Sequence, residues 1–160
     1  MNKIIIDGYN MIHRVPELRA HLEKSLECGR DELIRLLKTY LLNKKIQITV
    51  VFDGTEAPPG LSSVQDYRSL KVVFSRYPFK ADPLIISLIA REKAKRSLIV
   101  VSDDSEITQN PQSNQTLVLS THAFYHRLIS RQQACDIENK FDRELSQEEL
   151  NEWLKIFGEA

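Results

Sequence analysis

Several aspartates sit where the chain could use them for chemistry. Asp7 follows Ile4-Ile5-Ile6 and precedes Gly8. Asp53 follows Ile48-Thr49-Val50-Val51-Phe52 and precedes Gly54. Asp103 and Asp104 follow Leu98-Ile99-Val100-Val101 and Ser102, and Asp82 follows Lys80-Ala81 at the start of a helical pattern. An aspartate after a strand is often only a turn or cap residue. Several converging on one crevice repel each other unless a cation or shared protons compensate. Carboxylates without neighbouring His or Cys suit hard ions, Mg²⁺ or Mn²⁺, rather than zinc. Such an ion activates water and stabilises charge on a phosphoryl group, so hydrolysis of a phosphate ester is the chemistry expected.

Other catalytic patterns fit less well. His122 and His126 have a spacing that can hold zinc, but no Glu follows His122, and surface roles are expected. His13 lies near the crevice without an evident orienting partner. The sequence contains no P-loop, no Gly-x-Gly-x-x-Gly and no Gly-x-Ser-x-Gly elbow. A phosphatase with an aspartyl nucleophile would want a second acid at position nine, which is Tyr9.

To gather these acids the chain needs parallel strands that end on one edge. The runs at Ile4–Ile6, Ile48–Phe52 and Leu98–Val101 are continuously apolar, as in strands buried on both faces; Leu70–Phe74 and Thr116–Leu119 are weaker candidates. Helical stripes lie between them over Asp31–Leu42 and Asp82–Lys95, the second with Asp82 as its cap. Ser120 or Thr121 can cap a further helix through Phe124, Leu128 and Ile129. Loops are expected at 56–63 and 110–114. A last amphipathic helix over 147–157, opened by Ser146 and Glu149 and including Trp153, would form an extension. Alternating strands and helices predict an α/β fold with an open parallel sheet, whose ligands bind beyond the carboxyl ends of the strands.

With 160 residues, 42% hydrophobic and 28% charged, the chain has the composition of one soluble globular domain. No apolar stretch approaches the ~20 residues that span a bilayer, and the opening run is too short for a signal peptide. Cys28 and Cys135 lack Cys-x-x-Cys partners, so reduced thiols and a cytoplasmic location are expected. The formal net charge is zero, yet residues 66–96 hold eight basic side chains against three acidic ones. That imbalance allows a local basic face beside an acidic pocket.

The segment Ile4-Ile5-Ile6-Asp7-Gly8-Tyr9-Asn10-Met11-Ile12 resembles the opening of NYN domains, in particular the YacP-like branch of the PIN-like nucleases. Val50 to Gly54, Lys80 to Asp82, Val101 to Glu106 and Ser120 to Phe124 agree with it in order and spacing. The resemblance covers about residues 3–130. It implies a three-layer PIN-like (NYN) fold over 1–133, a central parallel sheet flanked by helices, with 134–160 as a C-terminal extension. It further implies an endoribonuclease dependent on Mg or Mn, with RNA as partner, an RNA-processing or translation assembly as context and no membrane. Carried over, Asp7, Asp82 and Asp103 match the acidic metal-site positions. Asp7 and Asp103 would be ligands, and Asp82 would complete the site or hold the attacking water. Asn10 would orient a metal-bound water or a phosphate oxygen.

Pro83 departs from the pattern, because YacP-like sequences often carry an acid directly after the residue matched by Asp82. Asp104 could supply the missing ligand, with Asp53, Ser102 and Glu106 as second-tier site residues. Arg14, Arg68, Lys71, Arg76 and Lys80 are candidates for binding phosphates. Tyr9, Tyr67 or Tyr77 could stack a base, although Tyr9 is favoured as core. Two other readings stay open: a degenerate PIN-like module that binds RNA or an RNA-processing assembly without cutting, and a small-molecule phosphoesterase.

Overall fold

Continuous apolar runs produce the central strands. In the computed structural model, which describes residues 2–54, 64–76 and 80–144 with side chains to Ile137, β1 spans Asn2–Asp7, β2 Ile46–Phe52, β3 Val64–Tyr67, β4 Leu70–Phe74, β5 Leu98–Val101 and β6 Leu117–Leu119. They form one six-stranded sheet in the order β3-β4-β2-β1-β5-β6. All neighbours are parallel except β3, which pairs antiparallel with β4. This is the expected α/β architecture, a mostly parallel sheet with helices on both faces.

Between β1 and β2 run α1 (Gly8–Arg14), α2 (Pro16–Leu22) and α3 (Leu26–Tyr40). The first two were not expected from the sequence. Pro16 starts α2 at its first turn, where a missing N–H costs nothing. Helix α3 begins at Leu26 rather than Asp31, because the Ser25 hydroxyl accepts the Cys28 N–H and caps it there. After β4 come α4 (Ala81–Arg91), the single turn α5 (Ser105–Thr108), and α6 (Thr121–Glu144), which continues unbroken past residue 134. The expected loop at 110–114 contains a short 3-10 turn, Pro111–Ser113. The loop at 56–63, Tyr77 and the helix expected over 147–157 lie outside the described residues.

Strand alternation divides the core between the two faces. Ile4, Ile6, Ile48, Val50, Phe52, Leu70, Val72 and Phe74 meet Met11, Ile12, Leu33, Leu37, Phe124 and Leu128 of α1, α3 and α6. Ile5, Val51, Leu98 and Val100 meet Ile85 and Ile89 of α4 and Ile107 of α5. The chain moves from β1 outward through β2 to β4, then returns across α4 to β5 on the other side of β1. The strand order therefore reverses beside β1, the topological point where open α/β sheets bind ligands. Among the described residues no helix is long and apolar enough to cross a membrane.

At the carboxyl edge Gly54 fixes how β2 leaves the sheet. Its N–H donates to the Ser75 hydroxyl at 2.9 Å, and a methyl group at this position would overlap the Ser75 carbonyl. Backbone cannot swing aside as a flexible side chain can. Gly54→Ala is expected to cost on the order of 2–3 kcal/mol, measurable as a lower urea midpoint with an unchanged m-value.

Candidate active site

Asp7 ends β1 on the same face as Ile5, the face covered by α4. It is 6% exposed. Asp82 stands in the first turn of α4. Lys80 occupies the N-cap position and makes no side-chain cap bond, so Asp82 does not serve as the expected cap, and its carboxylate lies beside Asp7 and Asp104. Beyond β5 the chain stays extended through Asp104, with Ser102 N–H still donating to Leu119 O at 3.2 Å. Alternation from Val100 puts Ser102 and Asp104 on the α4 face and Asp103 on the other. One carboxylate oxygen from each of Asp7, Asp82 and Asp104 lies within 4.8 Å of the others.

Asp103, expected as a ligand beside Asp7, lies outside this cluster. Both Asp103 oxygens go to Thr121, one accepting its N–H at 3.2 Å and the other its hydroxyl. They satisfy the first turn of α6, whose cap is Ser120 accepting the Ala123 N–H. Asn10 Oδ1 accepts the Asp103 N–H at 2.9 Å, tying the start of α1 to the turn that carries Asp103 and Asp104. Ser102 Oγ accepts the Asp104 N–H at 3.0 Å. Asp104 accepts the Glu106 N–H at 2.9 Å, which brings exposed Glu106 beside Asp82. Asp53, half-buried at the end of β2, is outside the trio.

Burial and the neighbouring Asp82 and Asp104 charges push the Asp7 pKa up to about 7, against the pull of the Asn10 N–H and the Ser102 hydroxyl. Asp82 rises to about 6, through desolvation first and then Asp104 and Glu106. Carboxyls that hold protons more tightly when folded give stability that is complete below their unfolded pKa and is lost as pH rises through the folded one. Metal-free protein should accordingly gain roughly 1–2 kcal/mol between pH 8 and pH 5.5, read as a rise in Tm. A divalent cation should raise Tm at pH 8 and flatten that dependence. A flat metal-free profile over this range would contradict the assigned burial of Asp7. The donor set fits such an ion: three hard oxygens, spaced so that small rotations reach the ~2.0–2.6 Å ligand distances of Mg²⁺ or Ca²⁺-like cations.

The predicted cations divide between the two edges of the sheet. Arg76 and Lys80 are exposed at the carboxyl edge, on either side of residues 77–79. Arg68 and Lys71 instead line a cavity at the amino edge with Lys3 and Leu98, because they precede or open β4. Their expected place at the crevice is corrected. Arg14 is exposed in the last turn of α1. Tyr9 is core, as favoured: its ring lies 4.9 Å from Phe52 and its hydroxyl accepts from Arg30. Tyr67 sits under Lys38 on the α3 side. His122 and His126 are exposed on α6. Arg91, counted in the basic stretch 66–96 but not among the phosphate-binding candidates, follows Leu84 and Ser87 at helical spacing.

A mostly parallel sheet with helices on both faces gathers carboxylates at its switch point, an arrangement that PIN-like, nuclease-type domains share. The profile of the YacP-like NYN domain matches residues 4–157, and the chain belongs to that family. The Bacillus subtilis (strain 168) protein described as "Uncharacterized protein YacP" is 33% identical over 88 residues, 55% of this chain and 51% of that protein. The alignment thus spans about half the length of this curated relative. Two crystal structures of Rae1 (YacP) from Bacillus subtilis share the fold. A single-substitution mutant gives a TM-score of 0.73 at 22% identity over 91% of this chain and 87% of that one. The other gives 0.70 at 23% identity over 99% and 93%.

Proposed function

We propose that this protein is a divalent-metal-dependent endoribonuclease that hydrolyses RNA phosphodiester bonds in the acidic crevice, acting in the cytoplasm. The observation that carries the reading is the convergence of Asp7, Asp82 and Asp104 oxygens within 4.8 Å on a chain of zero net charge. Mg or Mn held by these three would polarise a phosphoryl oxygen and lower the pKa of water. Asp82, half-buried and next to exposed Glu106, would hold the attacking water and accept its proton. Asp7, buried at the strand end, anchors the site. Asn10 and Ser102 hold the turn that presents Asp104, and Asp103 holds α6 against it through Thr121.

Asp104 supplies the third carboxylate that Pro83 leaves missing from α4, which favours an active enzyme over a degenerate binding module. Tyr9, where a phosphatase would carry its second acid, is buried on the opposite face, which disfavours a small-molecule phosphoesterase. An RNA-processing or translation assembly is the proposed setting.

The test is incubation of purified protein with a mixed RNA pool and Mg²⁺ or Mn²⁺, beside an EDTA control. RNA fragments that vanish with EDTA are expected. Cleavage indifferent to EDTA would refute metal dependence, and RNA binding without cleavage would establish the degenerate module. Turnover of a small phosphate ester with intact RNA would establish the phosphoesterase.

A further inference from the structure

A cavity of about 220 Å³ opens at the amino edge of the sheet under the last turn of α4. Lys3, Arg68, Lys71 and Arg91 line it, and the one carboxylate among its described lining residues, Glu92, is paired with Lys3 at 3.0 Å. A wider groove of about 710 Å³ follows the flank of α4 from Arg76 and Lys80 to Arg91, with Val64, Val73 and Leu84 in its wall. Arg91 lines both depressions, which we take together as one trough along α4. It leads from the neighbourhood of Asp82 to the opposite edge of the sheet, about 13 Å away for four strand residues. The trough exists because α4 crosses β1 and β2, leaving Lys71 of β4 open on this face.

Arg68 adds an independent sign. It occupies the two-residue turn between β3 and β4 at φ 69°, a left-handed conformation that hairpins normally give to Gly or Asn. Strain kept at an exposed turn points to a use for the side chain, and this one lines the cavity. Asp66, opposite Lys71 in the hairpin, accepts the Arg68 N–H at 3.0 Å and so helps to set that turn.

We propose that the trough is the track of single-stranded RNA. Phosphates would lie on Arg68, Lys71 and Arg91 at the amino edge and on Arg76 and Lys80 beside the acids. Bases would lie against Val64 and Leu84. Excess positive charge selects a polyanion, and an apolar wall is useful to exposed base faces, which a duplex hides. The choice of RNA as the polyanion rests on the proposed nuclease function, so the test is made in EDTA, where binding is separate from cleavage.

Fluorescence anisotropy of a labelled single-stranded oligoribonucleotide of about 12 nucleotides measures the track. Lys71→Glu/Arg91→Glu should weaken binding at least about tenfold and lower the slope of log K against log salt by about 1.4. Arg19→Glu/Lys24→Glu changes net charge equally, at exposed sites on and just after α2, and should change binding less than about twofold. Arg68→Gly, which relieves the turn, should raise Tm by about 2–4 °C while weakening RNA binding.

Equal losses for the trough and control pairs, or none for the trough pair, would overturn the track. So would displacement of the RNA by polyglutamate more readily than by unlabelled oligonucleotide, since that would assign the trough to an acidic protein. Cleavage in Mg²⁺ without trough-dependent binding would sink the track alone. Trough-dependent binding without cleavage would sink the nuclease function alone and uphold the track.

Discussion

Asp7→Asn is expected to slow RNA cleavage in Mg²⁺ or Mn²⁺ at least about 10³-fold, some 4 kcal/mol of transition-state stabilisation, and yet to melt higher than the parent protein when both are metal-free at pH 8. The two effects share a cause. At that pH the parent holds a carboxylate, 6% exposed, against Asp82 and Asp104; this is what draws a cation and also what strains the metal-free fold. Asparagine keeps the shape and removes the charge, so its Tm should lose most of the rise the parent shows between pH 8 and pH 5.5. Steady-state cleavage of a defined RNA, with differential scanning calorimetry at both pH values, checks both halves. A variant that cleaves normally would remove Asp7 from the site. One that is inactive but no more stable would mean that Asp7 carries no buried charge.

The sheet was legible because fully buried parallel strands announce themselves: Ile4–Ile6, Ile48–Phe52 and Leu98–Val101 have no polar alternation to hide them. Strand β3 was not, since its residues, Val-Gln-Asp-Tyr, are mostly exposed at an edge and show no apolar run. Helices α1 and α2 follow Asp7 too closely, at seven residues each, to build a clear helical stripe. At the site, the strand ends pointed to Asp7, which lies buried beside Asp82 and Asp104, but nearness in sequence hid two separations. Arg68 and Lys71 look adjacent to Asp82, yet they stand at the beginning of β4, and a parallel strand carries its first and last residues to opposite edges. Asp103 and Asp104 look interchangeable, yet extended chain sends successive side chains to opposite faces. Counting from Val100, which must face α4 if Val101 faces α6, would have separated them. The bond from Asp103 to Thr121 had no sequence signal beyond the capped start of α6.

Asp104→Asn and Asp103→Ala should accordingly fail in opposite ways although the residues are neighbours. Asparagine at 104 retains an oxygen for the Glu106 N–H and removes a like charge from Asp7 and Asp82, so stability should hold or rise while cleavage falls about 10²–10³-fold. Alanine at 103 strips the Thr121 N–H and hydroxyl of their acceptors in a residue with 0% exposure. That should cost about 1–3 kcal/mol, with cleavage by the folded protein kept within about tenfold. Asp103→Asn, which still offers Thr121 N–H an oxygen, should recover part of the stability. The decisive measurement is cleavage at a temperature where urea titration shows each variant fully folded. If Asp103→Ala then loses as much activity as Asp104→Asn, the acid before Asp104 acts on RNA or metal directly and alternation does not select the ligands. If the losses separate, the third carboxylate is chosen by which face of the extended segment after β5 meets α4.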